Sequence, residues 1–222
     1  MASAPHAGPG GHAGQMDMVY RYQRHIYDLT RKYYLLGRDR MIRGLDAREG
    51  MRVLELGCGT GRNLVLAARR WPGAHFCGLD ISAEMLRTAA DSVGKAGLSE
   101  RIALLAGDAT DFADAGMFGE QRFDRIFMSY TLSMIPQWEM ALEEAIDVLA
   151  PGGSIHIVDF GQQERLPGLF RDALFAWLRQ FHVSPRGDLR GVLEDVAKEH
   201  GLALTFTPLY RGYAWQARLD RN

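Results

Sequence analysis

The sequence predicts an α/β fold: a mostly parallel sheet with helices on both faces. Three observations predict it. Short apolar runs alternate with stretches of helical periodicity from residue 50 onward, and such alternation calls for a parallel sheet. The first run, RVLEL, ends in the glycine-rich turn GCGTG before a helical stretch. The last two runs, LALTFTPL and GYAWQARL, lie close together and read as a closing antiparallel pair.

In chain order, MRVLELG is the first strand and a helix is expected from about Arg62 to Arg70, closed by Trp71-Pro72-Gly73. HFCGLDI is the second strand. Ser82 is a candidate N-cap for a helix from Ala83 to about Gly94, with Glu84 in its first turn. IALLAGD is the third strand, and a loop with Gly116 and Gly119 leads to the fourth, FDRIFMSYTL. A helix from Trp138 to Leu149 stops at Ala150-Pro151-Gly152-Gly153, and SIHIVDFG is the fifth strand. Helices at about 168–181 and 188–200 precede the closing pair. No internal repeat and no clean linker follow residue 50, so residues 49–222 read as one domain.

Two segments precede it. Residues 1–15, MASAPHAGPGGHAGQ, are rich in Gly, Ala and Pro and read as a disordered tail. Residues 16–48 read as helical, either a lid over the cofactor mouth or a solvated helix whose tyrosines rest on the domain: Ile26, Leu29, Tyr33 and Leu36 recur at helical spacing, and Gly37 is placed to break or end a helix. The lid segment is dense in Tyr and Arg, including Tyr27, Tyr34 and Arg38.

Composition narrows the function classes. Hydrophobic residues make up 47% of the chain, enough for a large core. A formal net charge of -1 disfavours nucleic acid, whose binders carry a basic excess. Cys58 and Cys77 lack metal-ligand spacing, so reduced thiols, no metal and a cytoplasmic compartment are expected. No apolar run approaches the roughly 18 residues of a membrane span, and no signal peptide is expected.

The glycine turn carries the chemistry. Glycine tolerates the backbone dihedrals of a tight turn and lets a ligand approach the backbone; the following helix points free amides at that ligand. A phosphate-cradling loop would need Lys after the glycines, where this chain has Asn63 and Leu64. A dinucleotide fold usually shows GxGxxG; here the glycines are Gly57, Gly59 and Gly61. Glu55 lies within the first strand, Asp80 ends the second and Asp108 ends the third. Three acids at successive strand ends form one row along the sheet's rim, and a carboxylate at the second suits ribose hydroxyls.

Glu55-Leu-Gly57-Cys58-Gly59-Thr60-Gly61, Leu79-Asp80-Ile81-Ser82 and Gly107-Asp108-Ala109 resemble, in order and spacing, the motifs of the class I S-adenosylmethionine-dependent methyltransferases. The resemblance covers about residues 50–160. It implies a Rossmann-like sheet of seven strands with the last antiparallel, S-adenosyl-L-methionine as cofactor, ribose bound at Asp80 and adenine near Asp108. The implied cofactor set is Glu55, Gly57, Cys58, Gly59, Thr60, Gly61, Asn63, Asp80, Ile81, Met85, Gly107, Asp108, Ala109, Ser129 and Tyr130; Tyr27 and Arg38 are added from the segment before the sheet, where a tyrosine ring suits the sulfonium and an arginine suits the methionine carboxylate.

The acceptor is less legible. YDLTRKYYLLGRDR (27–40), within VYRYQRHIYDLTRKYYLLGRDRMIRGL, resembles the bacterial betaine-lipid N-methyltransferases. That family trimethylates the amine of diacylglyceryl-homoserine to diacylglyceryl-trimethylhomoserine. The implied substrate is a lipid or small-molecule amine, with peripheral contact at the inner face of the membrane through the basic N-terminal helix. Tyr27, Tyr34 and Asp159 are the candidates for orienting the amine; Asp159 serves equally well as a structural acid. Ser129 to Pro136 is a second acceptor-side candidate. Phosphatidylethanolamine N-methylation, quinone-pathway or other small-molecule methylation, and a non-catalytic scaffold stay open as alternatives.

Overall fold

A computed structural model describes residues 35–113, 117 and 121–222. Seven strands are present: β1 (Arg52–Leu56), β2 (His75–Asp80), β3 (Ile102–Ala106), β4 (Phe123–Ser129), β5 (Leu149–Phe160), β6 (Leu202–Leu209) and β7 (Ala214–Arg221). They form one sheet in the order β3-β2-β1-β4-β5-β7-β6. The first five pair in parallel, and β7 runs antiparallel to both β5 and β6. The closing antiparallel pair and the antiparallel last strand are as the sequence predicts.

The helices are α1 (Arg38–Arg43), α2 (Arg62–Arg70), α3 (Ala83–Lys95), α4 (Trp138–Asp147), α5 (Gly168–Arg179) and α6 (Leu189–Glu199). Strand side chains alternate between the two faces. Val53, Phe76, Phe127, Val158 and Phe160 pack with α1, α2, α3 and the end of α5. Leu54, Leu56, Leu79, Ile126, Met128, Ile155 and Ile157 pack with α4 and α6. Each helix contributes an apolar stripe, such as Leu64, Ala67 and Ala68 of α2, and both sheet faces are covered as the alternation demands.

Element ends follow local chemistry. Ser82 caps α3, its Oγ accepting from the Met85 amide at 3.3 Å. Several boundaries differ from expectation, two of them for clear local reasons. α4 stops at Asp147 rather than Leu149, because Leu149 already pairs with Phe123 and starts β5. β4 stops at Ser129 rather than Leu132, because Tyr130 turns into the left-handed region at φ 58°.

Strand order reverses between β1 and β4. In open α/β sheets the ligand crevice lies there, beyond the carboxyl ends of the strands. Among the described residues, no helix is long and apolar enough to cross a membrane.

Candidate functional site

A cleft opens at that reversal, with about 980 Å³ of empty space when its open mouth is included. Its floor is the turn after β1. Gly57 (φ 68°) and Gly61 (φ 73°) both take left-handed dihedrals, which β-carbon-bearing residues resist. Space compounds the demand: a β-carbon at Gly57 would lie 2.4 Å from Thr131 Cγ2, and one at Gly61 would lie 3.0 Å from Ala89 Cβ. The amides of Gly57 and Cys58 both donate to the Leu79 carbonyl, at 2.8 and 3.0 Å, tying the turn to β2.

Asp80, at the tip of β2, organises the next wall. Its Oδ2 accepts from the Gly59 amide at 2.7 Å and its Oδ1 from the Ser82 amide at 2.9 Å. One carboxylate thus staples the glycine turn to the start of α3, and a carboxylate at this strand end suits a ribose diol. Asp108, at the end of β3, closes a local turn, its Oδ1 accepting from the Thr110 amide (2.9 Å) and hydroxyl (2.8 Å). Gly107, Asp108 and Ala109 line the cleft together with Ile81 and Met85, so this part of it offers both the apolar and the polar groups that a heterocycle requires.

Behind the turn, Glu55 is fully buried and accepts from Asn63 Nδ2 at 2.7 Å. Asn63 lines the cleft, and its Oδ1 is buried with no hydrogen-bond partner among the described residues; the same is true of Ser129 Oγ across the cleft. A buried acceptor without a donor costs about 1–3 kcal/mol, so both atoms call for a ligand's polar group. Burial, with Glu55 and Asp80 nearby, pushes the Cys58 thiol well above its ordinary pKa. It is therefore a neutral packing group, not a nucleophile.

The far wall consists of Leu35, Arg38, Tyr130, Thr131, Met134, Ile135 and Pro136. The Tyr130 hydroxyl donates to the Leu36 carbonyl at 2.5 Å, and its ring packs edge-on against Phe160 at 4.6 Å. Burial raises the Tyr130 phenol well above its usual pKa, so it is a neutral strut between β4 and the segment before α1. Asp159, at the end of β5, lies fully buried behind this wall. Its Oδ2 accepts from the Ser133 amide (3.1 Å) and its Oδ1 from the Phe160 amide (2.8 Å). Burial raises its pKa to about 6 despite these hydrogen bonds.

Of the residues expected at the site, Arg38, Gly57, Cys58, Gly59, Asn63, Asp80, Ile81, Met85, Gly107, Asp108, Ala109, Ser129 and Tyr130 line one cleft. Glu55, Thr60 and Gly61 stand behind that surface, and Asp159 stands behind the far wall. Tyr27 and Tyr34 lie outside the described residues. Leu35 and Leu79 line the cleft without having been singled out. Thr131, Met134, Ile135 and Pro136 come from the segment expected on the acceptor side.

The donor set fits S-adenosylmethionine. Asp80 suits ribose, the groups around Asp108 suit adenine, and the unpartnered oxygens of Asn63 and Ser129 suit an ammonium group.

The comparisons agree. A family model described as "Methyltransferase domain" matches residues 47–199. A trans-aconitate 2-methyltransferase of Streptomyces avermitilis is 34% identical over 139 residues, covering 63% of this chain and 47% of that protein. A demethylmenaquinone methyltransferase of Bacillus subtilis is 29% identical over 166 residues, covering 74% of this chain and 64% of that one. The chain thus spans about half to two thirds of these relatives. Among solved structures, the plantazolicin methyltransferase BamL, in complex with SAH, superposes with a TM-score of 0.70 at 15% identity, over 95% of this chain and 96% of that one. A SAM-dependent methyltransferase from Aquifex aeolicus gives 0.64 at 18% identity, over 92% and 97%.

Proposed function

The chain belongs to the methyltransferase-domain family and takes its methyl group from S-adenosylmethionine, and from that premise we propose an N-methyltransferase that trimethylates the amine of diacylglyceryl-homoserine. One observation carries the reading. The stretch 27–40 that resembles betaine-lipid enzymes contributes Leu35 and Arg38 to a cleft wall that also holds apolar Met134, Ile135 and Pro136.

The bound cofactor supplies an electrophilic methyl group. The chain's task is to position an amine in line with it and exclude water, and orientation alone supplies much of such an acceleration. Asp80 holds the ribose, Asn63 and Ser129 face the ammonium group, and Arg38 faces the carboxylate. The attacking amine must be neutral, whereas an α-amino group titrates near pH 8, about 7.7–8.0. The apolar wall of Met134, Ile135 and Pro136 disfavours the charged amine and shifts it toward the neutral form. Residues 16–48 act as a lid, in which Tyr27 and Tyr34 hold the amine and its quaternary product by cation–π attraction. Asp159 acts through Ser133, fixing the wall rather than touching the acceptor.

A second reading is quinone-pathway methylation, favoured by the demethylmenaquinone relatives. Transfer of a radiolabelled methyl group to diacylglyceryl-homoserine, phosphatidylethanolamine or a quinone precursor separates the readings. Label in diacylglyceryl-homoserine, with mono-, di- and trimethyl products, is the expected result. Label in the quinone precursor alone rejects the lipid reading. Deleting residues 1–15 should leave turnover intact and deleting 1–40 should abolish it; an active 41–222 fragment would reject the lid.

A further inference from the structure

We propose that the first turn of α5 and the turn between β6 and β7 form one surface that seats the chain on an anionic phospholipid bilayer beside the mouth of the cleft. The inference concerns bilayer contact alone and holds whichever acceptor is methylated.

The apolar residues of α5 are unequally used. Leu178, in its last turn, is buried, and Leu174, Phe175 and Trp177 pack partly against the core. Leu169 and Phe170, in its first turn, are 86% and 47% exposed. Tyr210, at the β6–β7 turn, is 52% exposed. Exposed apolar side chains grouped at one place mark an interaction surface.

Backbone pairing ties the loop that leads into α5 to the β6–β7 turn. The Arg165 amide donates to the Arg211 carbonyl at 3.1 Å and the Gln163 amide to the Gly212 carbonyl at 2.9 Å. The turn itself is strained: Tyr210 (φ 51°) and Arg211 (φ 62°) are consecutive residues in the left-handed region, where side chains other than glycine are uncommon. Its other side touches the cleft's rim. A β-carbon at Gly37 would lie 3.8 Å from the Tyr210 ring, and Leu35 and Arg38 on either side of Gly37 line the cleft.

Charge selects the occupant. Arg165 and Arg211 are exposed around the apolar residues. Two acids lie nearby: Asp172 pairs with Arg171 at 2.9 Å, and Glu164, which accepts from the neutral Trp215 indole at 2.8 Å, keeps its charge, so Arg165 and Arg211 together leave a cationic excess. Leucine and aromatic side chains framed by guanidinium groups match the boundary between anionic headgroups and acyl chains. A lipid acceptor would then meet the cleft without crossing water.

The test is sedimentation of the full chain with vesicles of phosphatidylcholine alone or mixed with phosphatidylglycerol. Wild type should sediment with the phosphatidylglycerol vesicles and less with phosphatidylcholine alone. Leu169→Glu/Phe170→Glu should lower the partition at least about tenfold. Arg165→Gln/Arg211→Gln should remove the preference for phosphatidylglycerol and its salt dependence. Both double variants should bind S-adenosylmethionine as wild type does by calorimetry, which shows that the fold is intact. Wild type that ignores both vesicles, or Leu169→Glu/Phe170→Glu that sediments like wild type, overturns the proposal. So does sedimentation velocity showing a wild-type dimer that this variant splits, because the surface would then join two copies of the chain.

Discussion

Asp80 accepts a 2.7 Å hydrogen bond from the Gly59 amide, so the carboxylate assigned to ribose is also the one that holds the glycine turn closed. Asp80→Ala should therefore lose more than a ribose contact. Each hydrogen bond to a charged group is worth about 1.5–3 kcal/mol, so S-adenosylmethionine affinity should fall at least about tenfold. Asp80→Asn should not rescue it, because its NH2 group would face the Gly59 or Ser82 amide. Calorimetric Kd values for both variants check this, and unchanged affinity would remove Asp80 from the ribose role.

Gly57 faces Thr131 across the cleft floor, and Gly57→Ala should be destabilising twice over. The φ of 68° costs a β-carbon-bearing residue about 1–2 kcal/mol. The new β-carbon would also lie 2.4 Å from Thr131 Cγ2, and overpacking costs typically about 1–3 kcal/mol. Gly57→Ala/Thr131→Ala should recover the second part and not the first. Denaturant midpoints for the two variants separate them; equal destabilisation would show that the clash is relieved without Thr131.

Much of this site was legible in the sequence because its parts are local. The glycines, Asp80 and Asp108 each sit at a strand end, and a strand end followed by a helix can be read from a few residues. The sheet's last antiparallel pair was legible for the same reason. The far wall was legible only as a segment. Tyr130 ends β4 through a left-handed turn that its residue type does not announce. The residues fixing Thr131 to Pro136 come from β5 and from the loop before α6, distant in the chain. Asp159 is the clearest case. Its position at a strand end fitted both a substrate-facing acid and a structural one, and the structure places both its oxygens against backbone amides. Tyr27 and Tyr34 lie outside the described residues.

Two buried groups should give opposing pH dependences of stability. Burial raises Asp159 from 3.8 to about 6. The folded state then holds a proton that the unfolded state has lost, so this group's contribution falls as pH rises from about 4 to 6. Burial lowers His156 from 6.5 to about 3, with Arg218 and Arg125 adding to the shift. The unfolded state there holds the extra proton, so stability falls as pH drops from 6.5 toward 3. Between about pH 4 and 6 the two slopes oppose and largely cancel. Asp159→Asn should unmask a stability that rises with pH by up to about 1.4 kcal/mol per unit, and His156→Gln the reverse. Denaturant unfolding across pH 4 to 7 measures both, and parallel profiles for the two variants would reject the assignment.

Arg186 supports the far wall of the cleft, the one proposed to receive the acceptor, from behind. Its Nε donates to the Leu132 carbonyl at 3.1 Å and its Nη2 to the Ile135 carbonyl at 2.5 Å, while the neighbouring Ser184 amide donates to the Ser133 carbonyl at 2.8 Å. Met134, Ile135 and Pro136 face the cleft from this same loop, so their placement depends on a guanidinium that does not itself line it. Arg186→Met keeps the unbranched apolar stem of the side chain and removes both donors. Lysine would be a poor substitute, since a single ammonium group lacks the planar fork that reaches two carbonyls at once. The turn after β1 is tied to β2 and Asp80 by separate hydrogen bonds. Arg186→Met should therefore speed amide hydrogen exchange in residues 131–136, leave residues 55–63 protected, and keep S-adenosylmethionine affinity within about twofold of wild type. Misplacing a reactant by about 1 Å can cost on the order of a hundredfold in rate, so methyl transfer should fall steeply while cofactor binding holds. If exchange quickens equally in both segments, or cofactor affinity falls in step with turnover, Arg186 supports the domain as a whole and not the acceptor wall.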